Sequence, residues 1–349
     1  MSELRKDYFN ERFVILKRGG WTVRQQKKIS DAKDCIFCPG NESKTPLSDL
    51  VLASRHGTML KLSDMPEDYV QDWVVRVIPN QFPAVSEDSP KKYSDPPLYS
   101  EPALGYHYIV VASPKHVNFE EIDTDQWVNV LSIVQDKARW LYAKKNVAYV
   151  AIFLNQGRDA GASRAHAHMQ IITLPVLPPT IEKESKAVQK AMRTSGGCPM
   201  CQIIEHEMKG SRKFLETEAF FSFAPQAPSH PFEYWIFPKA HQISFLRASQ
   251  KEIMDLARLL ELSFMALAKV VGDLQFNAII HTSPEKRTSR QIHWHIEVYP
   301  RLKGFDGFER GTGIYVNMVA PEDAAKTLRD VATKILGGRD SKMLSKVDI

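Results

Sequence analysis

Two stretches of this 349-residue chain are copies of one pattern, and that repeat constrains the fold more than any other feature. Each copy runs Cys-x-x-Cys, strand, Pro-Lys(-Ala)-His, amphipathic helix, strand, turn, His-x-His. The first uses Cys35, Cys38, His116 and His166-Ala167-His168. The second uses Cys198, Cys201, His241 and His293-Trp294-His295. His116 lies 50 residues before His166, and His241 lies 52 before His293. The steps from cysteine to histidine differ, 78 residues from Cys38 to His116 against 40 from Cys201 to His241. The loop-rich stretch 50–100 accounts for the surplus. Matching order with matching late spacing implies two similar halves, 1–180 and 181–337, followed by a mobile tail, 338–349.

Strands are expected over residues 8–16, 74–78, 107–112, 148–154, 220–223, 232–237, 276–281 and 292–299. Residues 86–104, rich in Ser, Pro and Asp, read as a long surface loop. Trp127, Val130, Leu131, Val134, Ala138 and Leu141 recur at helical spacing across 124–143. A further helix is expected over 181–193. Ser249-Gln250-Lys251-Glu252 is a capping box that opens a helix running to about Val271. A last helix has Pro321 near its start and Gly337 after its end.

The stretch with the most chemistry is Gly161 to Gln170. His166, His168 and Gln170 are spaced by two, so on a strand they would line one face. Such a face is either solvated or supplied with ligands, because buried imidazoles and amides need partners. Just before it, Asn155 to Gly161 is glycine-rich enough for backbone amides to approach a phosphate.

The four cysteines form the two Cys-x-x-Cys pairs and nothing else. In a reducing compartment such pairs read as metal sites or redox centres before disulfides. Neither pair sits between a strand and a helix as a thioredoxin-type motif would, and 162 residues between Cys38 and Cys201 give a four-cysteine ribbon no support. Two thiolates and two imidazoles make the ligand set of a structural zinc site. The repeat selects Cys35, Cys38, His116 and one of His166/His168, then Cys198, Cys201, His241 and one of His293/His295. The alternative is unligated thiols with core histidines. If zinc takes one histidine of a His-x-His, the other is free on the same face. A neutral imidazole there could attack phosphorus, or it could merely support the metal.

Net charge is +5, fitting an anionic small substrate without demanding one. The basic cluster Lys17, Arg18, Arg24, Lys27 and Lys28 reads as a solvated segment. No dense basic stripe with interleaved aromatics suggests nucleic acid. With no apolar run near a membrane span of roughly 20 residues, the cytoplasm is the expected location.

Ala160-Gly161-Ala162-Ser163-x-x-His166-x-His168-x-Gln170 resembles the active-site signature of the galactose-1-phosphate uridylyltransferase family, a nucleotidyltransferase branch of the histidine triad superfamily. Further pieces agree in order: Leu4 to Asp7, Cys35-x-x-Cys38, Arg76-Val77-x-Pro79-Asn80-x-Phe82-Pro83-Ala84, Ser113-Pro114-x-His116, Asn155-x-Gly157 and Gly307 to Asn317. A close relative of the family, ADP-glucose phosphorylase, shares these motifs, together with Pro175-Val176-x-Pro178-Pro179 and a second cysteine pair.

The resemblance implies an α+β fold of two histidine-triad-like halves, antiparallel sheets with helices, and a homodimer. It implies zinc on Cys35, Cys38, His116 and His166, and a second site, zinc or iron, on Cys198, Cys201, His241 and His293. His168 would be the nucleophile that becomes nucleotidylated, with Gln170 and Ser163 holding phosphoryl oxygens. Asn155, Gly157 and Gly161 would face the phosphates. Asn80, Gln81 and Phe82 would face the ribose, and Glu309 the sugar. The implied reaction belongs to galactose metabolism: transfer of a nucleoside monophosphate between a nucleotide sugar and a sugar 1-phosphate. The alternatives are an adenine nucleotide sugar with phosphate as acceptor, and a zinc-stabilised binder without turnover. Two departures fall where base and ribose are read. Lys17 to Arg24 replaces the family's Arg-Ala-Lys-Arg-Pro segment, and Gln81 replaces the aspartate after the ribose-side asparagine. Glu297, standing where a second Gln170 would be, leaves one active centre per chain.

Overall fold

The computed structural model describes residues 2–6, 13–17, 34–87, 98–286 and 291–338. Alternating apolar and polar residues build strands whose two faces have different fates. Eleven of the strands form one antiparallel sheet. From the first half come β3 (Leu50–Arg55), β4 (Thr58–Leu62), β5 (Trp73–Pro79), β7 (His107–Val111), β8 (Tyr149–Gln156) and β9 (His168–Leu174). The second half supplies β10 (Lys213–Glu216), β11 (Phe220–Phe223), β12 (Tyr234–Pro238), β13 (Phe276–His281) and β14 (His295–Pro300). Their spatial order is β10-β11-β12-β14-β13-β8-β9-β7-β5-β3-β4. The expected antiparallel halves are therefore fused into a single sheet, not stacked as separate ones.

The fusion is at β8 and β13, where Phe153 pairs with Ile279 and Asn155 with Asn277. Phe153 also pairs with Gln170, and Ile279 with Glu297. These registers make Phe153 the counterpart of Ile279, and, two residues on in each strand, Asn155 the counterpart of His281. The pseudo-two-fold axis runs through the Phe153–Ile279 pair.

One face of the sheet is covered by α1 (Thr124–Tyr142), α4 (Gln250–Val271) and α6 (Pro321–Gly337). The helical stripe read from the sequence lies against it: Trp127, Val130, Leu131, Val134, Ala138 and Leu141 are all buried. Asp123 caps α1 by accepting from the Gln126 amide, and Ser249 and Glu252 form the anticipated reciprocal capping box on α4. Alternate residues point to the opposite face, which carries the chemistry: His107 on β7, Asn155 on β8, His168 and Gln170 on β9, Asn277 and His281 on β13, His295 and Glu297 on β14.

Several elements differ from the sequence reading. β1 (Ser2–Lys6), which was not expected, pairs on one side with β2 (Phe13–Lys17) and on the other with β6 (Ser100–Pro102) in a small second sheet. Residues 13–16 of the strand expected over 8–16 fall in β2, and residues 8–12 lie outside the described residues. The expected loop 86–104 accordingly contains a strand. His166 and His293 precede β9 and β14 instead of lying in them. The second cysteine pair opens a helix not foreseen, α3 (Pro199–Glu207), directly after α2 (Pro179–Ser195). A short α5 (Gly307–Thr312) precedes α6, whose cap is Gly338, one residue later than expected. The basic residues Arg18, Arg24, Lys27 and Lys28 and the tail after Gly338 lie outside the described residues.

Behind the first cysteine turn, Arg76 is buried and donates to Asp64 at 3.0 Å and to Ser48 at 3.0 Å. Asp64 also accepts from the Ser48 and Val70 amides. Arg76, the first residue of the motif that runs to Ala84, thus helps tie the segment 45–70 to β5.

Candidate active site and metal centres

The first cysteine turn is closed by the Cys38 amide donating to the Cys35 carbonyl, and it carries both thiols towards His116 and His166. Cys38 Sγ lies 3.4 Å from His116 Nδ1 and 3.6 Å from His166 Nδ1, and Cys35 Sγ lies 3.6 Å from His166 Nδ1. In the second half, Cys201 Sγ lies 3.5 Å from His241 Nδ1 and 3.6 Å from His293 Nδ1. Each four-residue set gathers its donor atoms within 4.8 Å of one another. With Zn–S of about 2.3 Å and Zn–N of about 2.0–2.1 Å, S and N donors on a tetrahedral ion stand about 3.6 Å apart, so both sets have the donors and the spacing of a four-coordinate metal site. Burial and the neighbouring Cys35 push the Cys38 thiol up to about 11, and burial and Cys198 do the same to Cys201. A bound cation would reverse that by stabilising thiolates.

His166 and His168, two residues apart, present opposite ring nitrogens to the backbone. The Nε2 of His166 sits 2.7 Å from the Ser113 carbonyl, which must accept a proton from it, so Nδ1 presents its lone pair to the thiols. Burial holds this ring down at about 4. His168 is turned the other way. Its Nδ1–H donates to the His166 carbonyl at 2.8 Å, leaving Nε2 as the ring's lone pair. Burial lowers its pKa too, keeping the imidazole neutral near pH 7. Phe37, from the cysteine turn, packs against both rings, with centroids 6.1 Å from His166 and 5.3 Å from His168.

Around His168 the structure gathers Gln170, Asn155 and the loop after β8. The loop turns on Gly157 and Gly161, both at φ +83°, a conformation side chains resist. Ser163 and Gly161 are exposed beside it. Gln170 Oε1 lies 3.0 Å from His107 Nε2, and Asn80 Nδ2 lies 3.1 Å from the same nitrogen. His107 therefore lies between Gln170 and Asn80, a connection the sequence reading missed. Its only signal was a histidine alternating with apolar residues in a strand. Gln81 and Phe82 are exposed, Phe82 at 73%. Glu309 is buried, and its contacts are with its own segment: it accepts from the Asp306 amide in the α5 capping box and faces Lys303 at 4.0 Å.

The counterpart of the His168 centre is built differently. Glu184 of α2 lies 3.2 Å from His281 Nδ1, and Glu297 lies 3.3 Å from His295 Nε2. Glu184, His281 and His295 form a third group able to hold a metal ion. Burial pushes the Glu297 carboxyl upward, but His295 and His281 outweigh it and hold it at about 2. His281, whose role the sequence left open, belongs to this group.

Residues 106–347 match a family model described as a domain of unknown function, DUF4921. The chain is 33% identical to the ADP-glucose phosphorylase of Arabidopsis thaliana over 95% of its own length and 93% of the relative's. It is 30% identical to the galactose-1-phosphate uridylyltransferase of Thermotoga maritima, covering 96% of this chain and all of that one. The chain belongs to the galactose-1-phosphate uridylyltransferase family. A solved uridylyltransferase superposes with a TM-score of 0.80 at 26% identity, across 95% of this chain and 99% of the other. Within this uridylyltransferase-family chain the match therefore includes both halves and the seam between them.

Proposed function

We propose that the protein is a nucleotidyltransferase that moves a uridylyl group between sugar 1-phosphates through a covalent nucleotidyl-His168. The observation that carries this is the orientation of His168: Nδ1 is committed to the His166 carbonyl, and Nε2 keeps the lone pair of a ring on the sheet face that also carries Gln170 and Asn155. Nε2 attacks the α-phosphorus of UDP-glucose, forming an N–P bond while the bond to the β-phosphoryl oxygen breaks and glucose 1-phosphate leaves. The positive charge that develops on the ring is shared with the His166 carbonyl. A phosphate oxygen of galactose 1-phosphate then attacks the same phosphorus and His168 is released. The leaving groups are already stable phosphates, so positioning and charge stabilisation carry the rate. Gln170, Asn155, Ser163 and the loop at Gly157 and Gly161 would contact phosphoryl oxygens, Asn80, Gln81 and Phe82 the ribose, and Glu309 a sugar. Residues 1–180 would form the catalytic half.

Zinc held by Cys35, Cys38, His116 and His166 would supply a rigid cross-link with no open coordination position. Cys198, Cys201, His241 and His293 would hold a second ion, zinc or iron. The exposed apolar side chains of Phe308, Ile314, Tyr315, Val316 and Met318 support a homodimer. Among the described residues no helix is long and apolar enough to cross a membrane. Four unpaired thiols fit a reducing cytoplasm.

A second reading, phosphorolysis of ADP-glucose through an adenylyl-His168, is favoured by the 33% identity to the Arabidopsis enzyme. Incubation with UDP-glucose or ADP-glucose labelled at the α-phosphate separates the two. Acid-labile, base-stable uridylyl label on the protein supports the first, and adenylyl label the second. Label that persists in His168→Ala sinks the nucleophile assignment, and no label with either donor would leave a binder without turnover.

A further inference from the structure

The loop that faces His168 belongs to the first half, but much of what holds it comes from the second. Asn277 of β13 donates from Nδ2 to Asn155 Oδ1 at 2.7 Å and to the Ala160 carbonyl at 2.8 Å. Both hydrogens of that amide are spent on acceptors, which fixes its orientation. Because Asn155 Oδ1 is engaged, its own Nδ2 is the end left to donate. Two residues earlier, Gln275 Oε1 accepts from the Asp159 amide at 2.8 Å. Its side chain also fills the space beside Gly157, where a Cβ would come within 2.4 Å of Gln275 Cγ. Three residues of the loop, Gly157, Asp159 and Ala160, are thus moulded against β13 and the residue just before it.

The carboxamide contacts are made on one side of the axis only. By the register that makes Phe153 the counterpart of Ile279, Asn277 corresponds to Ala151 and Gln275 to Tyr149. Neither Ala151 nor Tyr149 has the carboxamide needed to do the same for the loop after β13. We propose that Asn277 and Gln275 are positioning residues of the single active centre, through which the half without a nucleophile orients Asn155 and shapes the phosphate loop. This rests on the covalent reading of His168.

The test is single-turnover labelling of the full-length protein with donor labelled at the α-phosphate, alongside kcat, KM and thermal melting. Asn277→Asp keeps the shape but turns a carboxylate oxygen on two acceptors. It and Asn277→Ala should slow labelling roughly 10- to 100-fold, mostly in kcat, as expected when a reacting group is held slightly out of place. In the Asn155→Ala background, Asn277→Ala should add less than about twofold, because its effect passes through Asn155. Gln275→Ala should slow labelling independently of Asn155, and it carries the test if the Asn277 variants do not melt cooperatively. Variants that label at the wild-type rate, or losses that multiply fully in the Asn155–Asn277 pair, overturn the inference while leaving His168 chemistry standing. A wild-type protein that takes no label sinks the covalent reading, and this inference with it.

Discussion

His168 and His295 occupy corresponding positions and share one backbone device, Nδ1 against the carbonyl two residues back. What differs is the group two residues ahead. Gln170 is neutral and can donate, whereas Glu297 is an acceptor held ionised by two imidazoles. Gln170→Glu should therefore convert the first centre into an imitation of the second. The carboxylate would repel the incoming phosphate and accept from His168, and nucleotidylation should fall by at least about 10²-fold, the scale of losing one donor to a developing anion. Gln170→Ala should cost less than Gln170→Glu in the same labelling assay. The reverse order would mean that charge is not what separates the centres. The cysteine pairs, the distal histidines and the His-x-His motifs were legible in the sequence because they repeat. His107, Asn277 and Gln275 were not, because a polar residue alternating with apolar ones in a strand has no sequence mark of the loop it meets.

At the scale of elements, one buried pair reinforces the β3–β5 ladder that holds the segment between the cysteine turn and β5. The Arg76 and Asp64 side chains are 1% and 0% exposed. Burial alone would raise the Asp64 carboxyl, but hydrogen bonds from Ser48, Val70 and Arg76 hold it below the usual range. A carboxyl with a lowered folded-state pKa adds stability that is present above its unfolded pKa of about 3.9 and is lost as pH falls through the folded value. Arg76→Met should destabilise by about 3–5 kcal/mol at pH 7, since it strands a buried carboxylate. The deficit against wild type should shrink below pH 4, as read by denaturant titration. A deficit constant down to pH 2 would contradict the assignment. Arg76 reads in the sequence as part of a functional motif, and its structural role became visible only when Asp64 and Ser48 closed round it. The helices α1 and α4, by contrast, were readable in advance, because their caps and apolar stripes depend only on local chain. β1 and β6 were missed because such short runs show no period and the two pair with each other across a long stretch of chain.

For the whole molecule, the two Cys2His2 sets lie on the same face at opposite sides of the seam. Metal analysis should find two ions per chain held by these sets, apart from any ion on Glu184, His281 and His295. Cys35→Ser should lower both melting temperature and labelling rate, because Phe37 of the same turn packs on His168. Cys198→Ser should lower the melting temperature while changing the labelling rate far less. Equal loss of labelling in both variants would contradict the separation of one catalytic from one structural half. The two similar halves followed from the repeat and the fold class from the family resemblance, but their union into one sheet did not, since nothing in β8 or β13 alone announces that each is the other's neighbour.

The axis through Phe153 and Ile279 also bears on how such a molecule can change. In a symmetric pair of separate subunits, every replacement is made twice, so a site can be altered only by altering its twin. Here both subsites are written independently into one polypeptide. Glutamine can persist at 170 while glutamate takes 297, and asparagine at 155 while histidine takes 281. Asymmetry of this kind requires a tether, and the continuous sheet keeps the two diverging copies in register while they specialise.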